Sequence, residues 1–353
     1  MSITQDGRMM SILTPLGKDE LLINKLSARE GLSELFKFEV ELLREEDKTP
    51  VKVENILGQS VAIAVQQRDG TSRFFNGMVS KFSLGNTDER YFYYYATVVP
   101  SVWVLTQKAQ SRIFQNQSVM DILKKVFESF IVTYRTQGTY EPRNYCVQYR
   151  ETDFDFASRL MEEEGIYYYF EHTEDGHKMI IADMQQSHAD CPSKNKIPFS
   201  LDVSSKEEFI SSIGHWQVDY KIQSGKVTLW DSHFELPNKH LEAEKNLKPE
   251  IKPQTMKSFE IYDYPGGYAR KYDGINKGGG EQPSEVAKIF QDNKRTVEVR
   301  MQEIDAQYQI ANGLSDCCSI TAGYRFELEN HPIGEFNVKH TLISATHLSL
   351  IHI

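Results

Sequence analysis

Short runs of β-branched and aromatic residues, separated by turn-forming glycines, follow one another along the first hundred residues. The clearest runs cover residues 61–65, 74–82 and 91–99, and glycines such as Gly70 and Gly85 lie between or beside them. This pattern predicts strands that build a meander or a barrel.

The run Tyr91-Phe92-Tyr93-Tyr94-Tyr95 places aromatic side chains on both faces of one predicted strand. Since side chains alternate along a strand, two interpretations stay open. Either both faces are covered within the chain, or the face that carries Tyr91, Tyr93 and Tyr95 is an interface.

A first amphipathic helix is predicted after Ser118, whose side chain can form a capping box with Asp121. The apolar residues behind it recur at helical spacing; they are Val119, Ile122, Leu123, Val126, Phe127 and Phe130.

A second helix is predicted after Thr152, which can act as the N-cap with Asp155 at the third helical position. Phe156 and Leu160 lie on its apolar stripe. Gly165 supplies the left-handed residue that ends it.

In the second half of the chain the sequence predicts a loop, a strand, a helix and a final strand-rich segment. Residues 237–257 contain three prolines, many lysines and glutamates and no aromatic residue, which predicts a solvated connection or loop. Residues 259–264 predict a strand, and a helical stretch is predicted from Ser284, after the loop Gly278-Gly279-Gly280. Its apolar face is expected to carry Val297, Met301, Ile304 and Tyr308. Residues 319–352 return to a strand pattern.

This arrangement predicts an α+β, mainly β fold with at least two β-rich bodies. A chain of 353 residues suggests about two or three domains.

The formal net charge of -10 argues against a nucleic-acid ligand. No stretch has the apolar length of a membrane span, and the N-terminus has no apolar core of a signal peptide. Four cysteines fit folding in a reducing compartment.

Three consecutive carboxylates, Glu162, Glu163 and Glu164, suggest a hydrolase that works with an acid pair. Consecutive helical residues point about 100° apart, so these side chains are not expected to converge on one substrate. A solvated or ion-paired helix face is the favoured interpretation.

Metal and cofactor motifs are equally weak. His172 and His177 flank a predicted hairpin turn, and Cys317-Cys318 are adjacent rather than spaced for zinc. The glycine-rich loops lack the residues of a phosphate-binding loop. From the residues alone, no catalytic residue, cofactor or metal site is predicted.

Residues 146–156 (CVQYRETDFDF) and 158–172 (SRLMEEEGIYYYFEH) closely resemble the signature of VgrG, the spike protein of type VI secretion systems. We refer to residues 146–172 as the signature segment. Residues 113–119, 262–266 and 322–332 resemble the same family, so the likeness covers nearly the whole chain.

The resemblance implies the phage baseplate hub-like region of VgrG, with two β-barrels joined by α+β insertions. We expect a first barrel at 1–105, an insertion at 106–200 and a second barrel at 201–353 with an inserted loop and helix at about 237–310. Family members form trimers whose six barrels make a pseudo-hexameric ring on the hexameric Hcp tube.

Within the signature segment we predict structural roles. Thr152 and Asp155 cap the helix, while Arg150 or Arg159 pairs with Asp153 or Glu163; binding of a partner's carboxylates by these arginines is the alternative. The residues concerned are Arg150, Thr152, Asp153, Phe154, Asp155, Phe156, Arg159, Leu160 and Gly165.

The leading functional hypothesis is a non-enzymatic, trimeric hub that caps the Hcp tube and carries the puncturing tip, with effectors and baseplate subunits as further partners. It would assemble in the cytoplasm and leave through the secretion machine. The rivals are a peptidoglycan hydrolase of a phage-tail-like machine and a sugar- or peptide-binding module. Because the sequence ends at Ile353, without the β-helical spike of full-length VgrG, we expect a fragment or a short form.

Overall fold

A computed structural model describes residues 4–67, 70–201, 211–248, 253–272 and 286–350 of the chain. The predicted loop Gly278-Gly279-Gly280, the predicted helix start at Ser284 and residues 351–353 lie outside these described residues.

Seven strands build the first body: β1 (Met10–Leu13), β2 (Leu22–Gly31), β3 (Glu34–Glu45), β4 (Ser60–Gln66), β5 (Ser72–Thr87), β6 (Tyr91–Val99) and β20 (Ser344–Leu350). They pair antiparallel in the order β1-β4-β5-β6-β3-β2-β20. The sheet curls so that β1 contacts β2, and its inner face carries buried residues such as Phe38, Ile63 and Phe75. Strand β20 comes from the segment that the sequence assigns to the second barrel.

The α+β insertion follows the first six strands. Its elements are β7 (Ala109–Gln117), α1 (Val119–Val126), β8 (Val132–Arg135), β9 (Arg143–Thr152), α2 (Asp153–Glu163), β10 (Tyr167–Thr173) and β11 (Gly176–Ala182). Strands β7 and β9 form a ribbon, and β10-β11-β8 form a second small sheet. Helices α1 and α2 share one continuous apolar core with the first body, which holds the two parts together.

The second β-rich body contains β12 (Lys196–Pro198), β13 (Ile213–Tyr220), β17 (Gln309–Ser315), β18 (Arg325–Glu329) and β19 (Lys339–Thr341). Strands β12-β18-β19 form one sheet, and β13 pairs with β17. Ile197, Ile213, Phe326 and Leu328 form its core together with two of the four free cysteines.

A third small sheet, in the order β15-β14-β16, lies against one long helix. The strands are β14 (Lys226–Asp231), β15 (Leu241–Asn246) and β16 (Glu260–Asp263), and the helix is α3 (Ile289–Ala306). The buried side chains between them include Val227, Leu229, Val297 and Met301.

The predicted α+β, mainly β fold is confirmed. Helices α1 and α2 begin directly after Ser118 and Thr152 as predicted. The predicted face of α3 is found with Val297, Met301 and Ile304, whereas Tyr308 packs on the same core from just beyond the helix, which ends at Ala306. Among the described residues, none of the helices combines the length and the apolar character that crossing a lipid bilayer requires.

One prediction of the secondary structure is wrong. Strand β15 lies inside the segment 237–257, which the sequence predicts as a solvated loop. Within it Leu241 and Ala243 are buried against α3 while Glu242 and Glu244 are exposed. This alternation is a strand signal that the surrounding prolines and charges obscure.

Candidate functional site

The signature segment turns from strand β9 into helix α2 at a threonine cap. The Thr152 hydroxyl accepts a hydrogen bond from the backbone N–H of Asp155 at 3.0 Å, as the sequence predicts. Just before it, Arg150 has a left-handed φ of 53° at an irregularity in the pairing of β9 with β7. Its guanidinium lies 5.2 Å from the ring centre of Tyr149. Within the described part of the chain Arg150 forms no ion pair with Asp153 or Glu163.

Asp153 is buried at the start of α2 and is neutralised by a different arginine. Arg112 on β7 donates to its carboxylate at 2.7 Å, and the amides of Gln110 and Gln148 donate at 2.8 and 2.9 Å. Because Gln148 is fully buried as well, this polar group ties the β7–β9 ribbon to the helix. The expected pairing of Asp153 with Arg150 or Arg159 is therefore wrong.

Arg159 makes the predicted intramolecular pair with Glu163, at 3.2 Å. It also binds Glu151 at 2.6 Å and donates to the carbonyl oxygen of Val147 at 3.1 Å. The contacts with Glu151 and Val147 fasten the middle of α2 to the end of β9, and the pair with Glu163 lies within α2.

The apolar side of α2 fills the core of the insertion. Phe156 and Leu160 are fully buried, and Phe154 is nearly so. Phe156 stacks on Phe114 with ring centres 5.5 Å apart, while Phe154 meets the edge of Tyr168 at 5.9 Å. Phe154, Phe156 and Leu160 therefore pack inside this chain.

Gly165 ends helix α2 with a φ of 67°, as the sequence predicts. A Cβ atom added there would lie 2.9 Å from Cγ2 of Val299 on α3. Glycine thus serves two purposes, since it permits the left-handed turn and lets α3 approach the end of α2.

The run Glu162 to Glu164 leads into a buried ionic cluster. Glu164 is 7% exposed, and its carboxylate contacts Arg143, Lys271 at 3.5 Å and Arg295 at 2.8 Å. Glu163 pairs with Arg143 at 2.7 Å.

On the far side of the cluster, Asp292 pairs with Lys271 at 2.8 Å. Three carboxylates therefore face three basic groups on β9, on the turn at residues 269–271 and on α3. We call this set the buried ionic cluster; its members are Arg143, Glu163, Glu164, Lys271, Asp292 and Arg295.

The cluster keeps the carboxylates of Glu163 and Glu164 charged. Burial by itself raises the pKa of Glu164, but Lys271, Arg143 and Arg295 outweigh burial and hold that pKa below its usual value. The pKa of Glu163 is lowered in the same way, chiefly by Arg143. Removing one member would leave buried charge without a partner, so the cluster acts as a joint between the insertion and α3.

The sequence locates only one side of this cluster. Glu163 and Glu164 belong to the conspicuous acidic run, whereas Arg143, Lys271 and Arg295 are single basic residues in three separate segments. Nothing in their local pattern distinguishes them from surface charges, because only the tertiary fold brings them together.

A second buried network lies under the first sheet. Arg73 pairs with Glu30 at 3.1 Å, and His347 on β20 approaches the same carboxylate at 3.4 Å. Burial alone would raise the pKa of Glu30, but Arg73 and His347 lower it to about 2. This network links β2, β5 and β20.

His172 and His177 face each other across the β10–β11 hairpin, and hydrogen bonds to the backbone hold both rings. Nδ1 of His172 accepts from the N–H of Asn76 at 3.1 Å, and Nε2 of His177 accepts from the N–H of Ser101 at 3.0 Å. Among the described residues no group of three or more His, Cys, Asp and Glu side chains is placed to hold a metal ion. Both histidines pack among phenylalanine rings.

The aromatic run on β6 is mostly covered inside the chain. Tyr91 is buried, and the Tyr93 hydroxyl donates to Asp88 at 2.8 Å. Tyr95 remains 46% exposed, and its ring lies directly over Gly85 on β5. Of the three residues predicted as a possible interface, Tyr95 offers the most surface.

Two surface cavities, of about 520 and 400 Å³, lie away from the acidic run. The first is lined by residues 135–137 and 186–189, and the second by residues of β1, β4 and the N-terminal segment. Neither is lined by Glu162, Glu163 or Glu164, so the carboxylates proposed for hydrolysis do not border either cavity.

Sequence comparison places these features in a known context. Residues 29–349 match the family described as phage tail baseplate hub (GPD). The type VI secretion system spike protein VgrG1a of Pseudomonas aeruginosa is 31% identical over 344 residues, which are 96% of this chain and 49% of that protein. VgrG1b of the same species is 30% identical over 98% of this chain and 44% of its own length. The chain therefore spans about half the length of the curated relatives it matches.

Solved structures share the fold at low sequence identity. A type VI secretion component of E. coli, described as similar to bacteriophage T4 tail proteins, aligns with 97% of this chain and 73% of its own at a TM-score of 0.64 and 14% identity. A tail protein of Neisseria meningitidis gives a TM-score of 0.58 at 11% identity, over 96% of this chain and 91% of that one.

Proposed function

This chain belongs to the phage tail baseplate hub family, and from that membership we propose that it is the structural hub of a type VI secretion spike. The observation that carries the proposal is the family match, which runs through both β-rich bodies and the insertion between them. Relatives that cover nearly all of this chain bear the name of type VI spike proteins.

In the proposed assembly three chains form a ring. Each chain contributes two β-rich bodies. The proposed domain bounds are 1–105, 106–200 and 201–353, except that β20 joins the first body and β12 joins the second. Three copies then present six bodies, so a threefold part can meet the sixfold end of an Hcp tube. Closed rotational symmetry of this kind is the usual form of protein oligomers.

The hub would hold the puncturing tip on its other side and offer docking surface to effectors and baseplate subunits. It would assemble in the cytoplasm and leave the cell with the expelled tube. These roles belong to the whole spike, of which this chain spans about half by comparison with its relatives.

We propose that Tyr95, with Tyr93 beside it, contributes to the contact between neighbouring chains. Tyr95 is exposed and already held over Gly85, so it could bury apolar surface with little loss of side-chain freedom. Tyr91 is buried within the chain and contributes by supporting its neighbours.

The proposed hub does not need any enzymatic activity to function. Glu163 and Glu164 are committed to ion pairs with buried or partly buried basic groups, which is the opposite of a protonated acid poised to donate. The geometry therefore gives no support to a peptidoglycan hydrolase.

Electron microscopy of preassembled Hcp tubes mixed with this protein tests the proposal. We expect density capping one end of the tubes, and we expect Tyr95→Asp to abolish it by blocking ring formation. Tyr149→Asp serves as the matched control, because Tyr149 is 64% exposed on a different strand and should leave capping unchanged. Uncapped tubes with the unaltered protein, at every ratio tried, would contradict the proposed docking.

A further inference from the structure

The sheet β15-β14-β16 has one face covered by α3 and one face open to solvent. Val227 and Leu229 point toward α3, while Thr228 and Trp230 on the same strand point away from it. The strand register places Glu242 beside Trp230, and it places both Glu244 and Tyr262 beside Thr228. We call the open side the aromatic–acidic face; it is formed by Trp230, Glu242, Glu244, Glu260, Tyr262 and Tyr264.

The open faces of such sheets usually carry polar residues, but this one carries three large aromatics. Trp230, Tyr262 and Tyr264 are 38, 54 and 52% exposed. Exposed groups of this kind mark interaction sites, and Trp and Tyr are the side chains most enriched at protein interfaces.

Two of these rings, Trp230 and Tyr264, are held in place by neighbouring side chains of the same chain. Trp230 lies 5.4 Å from the ring centre of Tyr264 and stacks on His240 at 5.7 Å with an interplanar angle of 18°. The Tyr264 hydroxyl lies 3.1 Å from the Ser232 hydroxyl. A preorganised surface loses little entropy when it binds.

Negative charge exceeds positive charge on this face. Lys226 binds Glu244 at 2.6 Å and Glu260 at 3.3 Å, so one ammonium group serves two carboxylates. Among the basic groups of the described residues, the imidazole of His240 forms the ion pair with Glu242, at 3.6 Å. Hydrogen bonds from Thr228 and Lys226 lower the pKa of Glu260, which keeps it ionised.

We propose that the aromatic–acidic face binds an extended segment of a partner protein that carries lysine or arginine side chains. Cations bind over the faces of Trp and Tyr rings, and the flanking carboxylates pair with the same cations. The same charges disfavour nucleic acid and anionic lipid headgroups, whose phosphates they would repel. The proposal goes beyond the hub function, because the face belongs to one chain and does not depend on trimer formation.

Fluorescence anisotropy with a labelled peptide of alternating lysine and threonine tests this inference on the full chain at physiological salt. The double variant Glu242→Gln, Glu244→Gln should weaken binding about tenfold or more, and Tyr262→Ala should weaken it several-fold. A peptide with glutamate in place of lysine should not bind.

Two controls separate this face from general attraction to an acidic protein. The double variant Glu327→Gln, Glu329→Gln makes the same change of charge on β18, and Tyr149→Ala removes a tyrosine ring of β9 that is 64% exposed. Both should retain the affinity of the unaltered protein.

Several results would overturn the proposal. These are equal weakening by the β18 control, unchanged affinity in the Glu242→Gln, Glu244→Gln variant, or no binding of the lysine peptide at all. Saturable binding of a neutral oligosaccharide that is lost in Trp230→Ala, together with no binding of the lysine peptide, would instead identify a sugar-binding face and would also reject it.

Discussion

Glu164 is a buried carboxylate shared by Arg143, Lys271 and Arg295, and its charge holds the end of α2 to α3. Glu164→Gln keeps the shape of the side chain but leaves three basic groups with less negative charge among them. We expect the free energy of unfolding to fall by about 3 to 5 kcal/mol, the usual effect of breaking a buried ion pair. Urea denaturation measures it.

The neighbouring Glu162→Gln is the matched control, because Glu162 is exposed on the same helix and its loss should change stability by less than about 0.5 kcal/mol. Equal effects of the two substitutions would show that the buried ionic cluster does not contribute to the joint.

Gly165 provides a second prediction at the scale of one residue. Gly165→Ala adds the left-handed strain of about 1 to 2 kcal/mol and also a contact with Val299. Gly58→Ala isolates the strain, since Gly58 has a φ of 77° and an added Cβ there meets nothing within 4 Å.

We expect Gly165→Ala to destabilise the protein more than Gly58→Ala. This extra loss of stability should disappear when Gly165→Ala is introduced into the Val299→Ala background. Chemical denaturation of Gly165→Ala, Gly58→Ala, Val299→Ala and the double variant Gly165→Ala, Val299→Ala measures the difference. If Gly58→Ala cost as much as Gly165→Ala, the close approach of α3 would have no energetic consequence.

At this scale the sequence predicts whatever depends on nearby residues. The caps at Ser118 and Thr152 and the glycine stop at Gly165 are encoded within a few positions of each helix. The partners of Asp153 and Glu164 are not, because Arg112 and Arg295 lie far along the chain and only folding selects them.

Among the elements, the β10–β11 hairpin makes stability depend on pH. Burial lowers the pKa of His177 to about 4, whereas the same side chain titrates near 6.5 in an unfolded chain. Between those values the unfolded chain binds a proton that the folded chain does not. His172 acts in the same direction, since burial lowers its pKa as well. The stability is therefore fully present above about pH 6.5 and is lost as the pH falls toward 4.

We expect the free energy of unfolding to fall by about 1 to 2 kcal/mol between pH 6.5 and pH 4.5 because of His177, and His177→Gln to reduce that slope. Urea titrations at several pH values measure it. An identical slope in the His177→Gln variant would refute this assignment.

Helices and strands are predictable from the sequence where apolar residues recur with one regular spacing. Helices α1 and α2 have clear apolar stripes and clear caps, so their positions could be read directly. Strand β15 was missed because only Leu241 and Ala243 mark its buried face, and lysines and prolines surround them. Its partner α3 lies more than forty residues further along the chain, so the local sequence around β15 does not show which surface buries the strand.

For the whole molecule, the sequence indicates mainly β architecture, and the signature segment indicates the hub family. The return of β20 to the first sheet is not visible in either, since pairing across the full chain has no local signal. It places β20 in one sheet with β1 to β6, and His347 on β20 completes the network around Glu30. Contacts between chains are even harder to predict from local sequence patterns, because the residues that meet belong to different copies of the protein.

If the contacts that assemble the hub lie in this chain, the protein forms the trimer by itself. Light scattering behind a sizing column, over a series of concentrations, tests it most directly, with Tyr95→Asp compared under the same conditions. We predict three chains of 40.7 kDa, about 122 kDa in all, for the unaltered protein and a single chain for the variant. A mass of one chain at every concentration of the unaltered protein would contradict the proposal that this chain assembles into a trimer by itself.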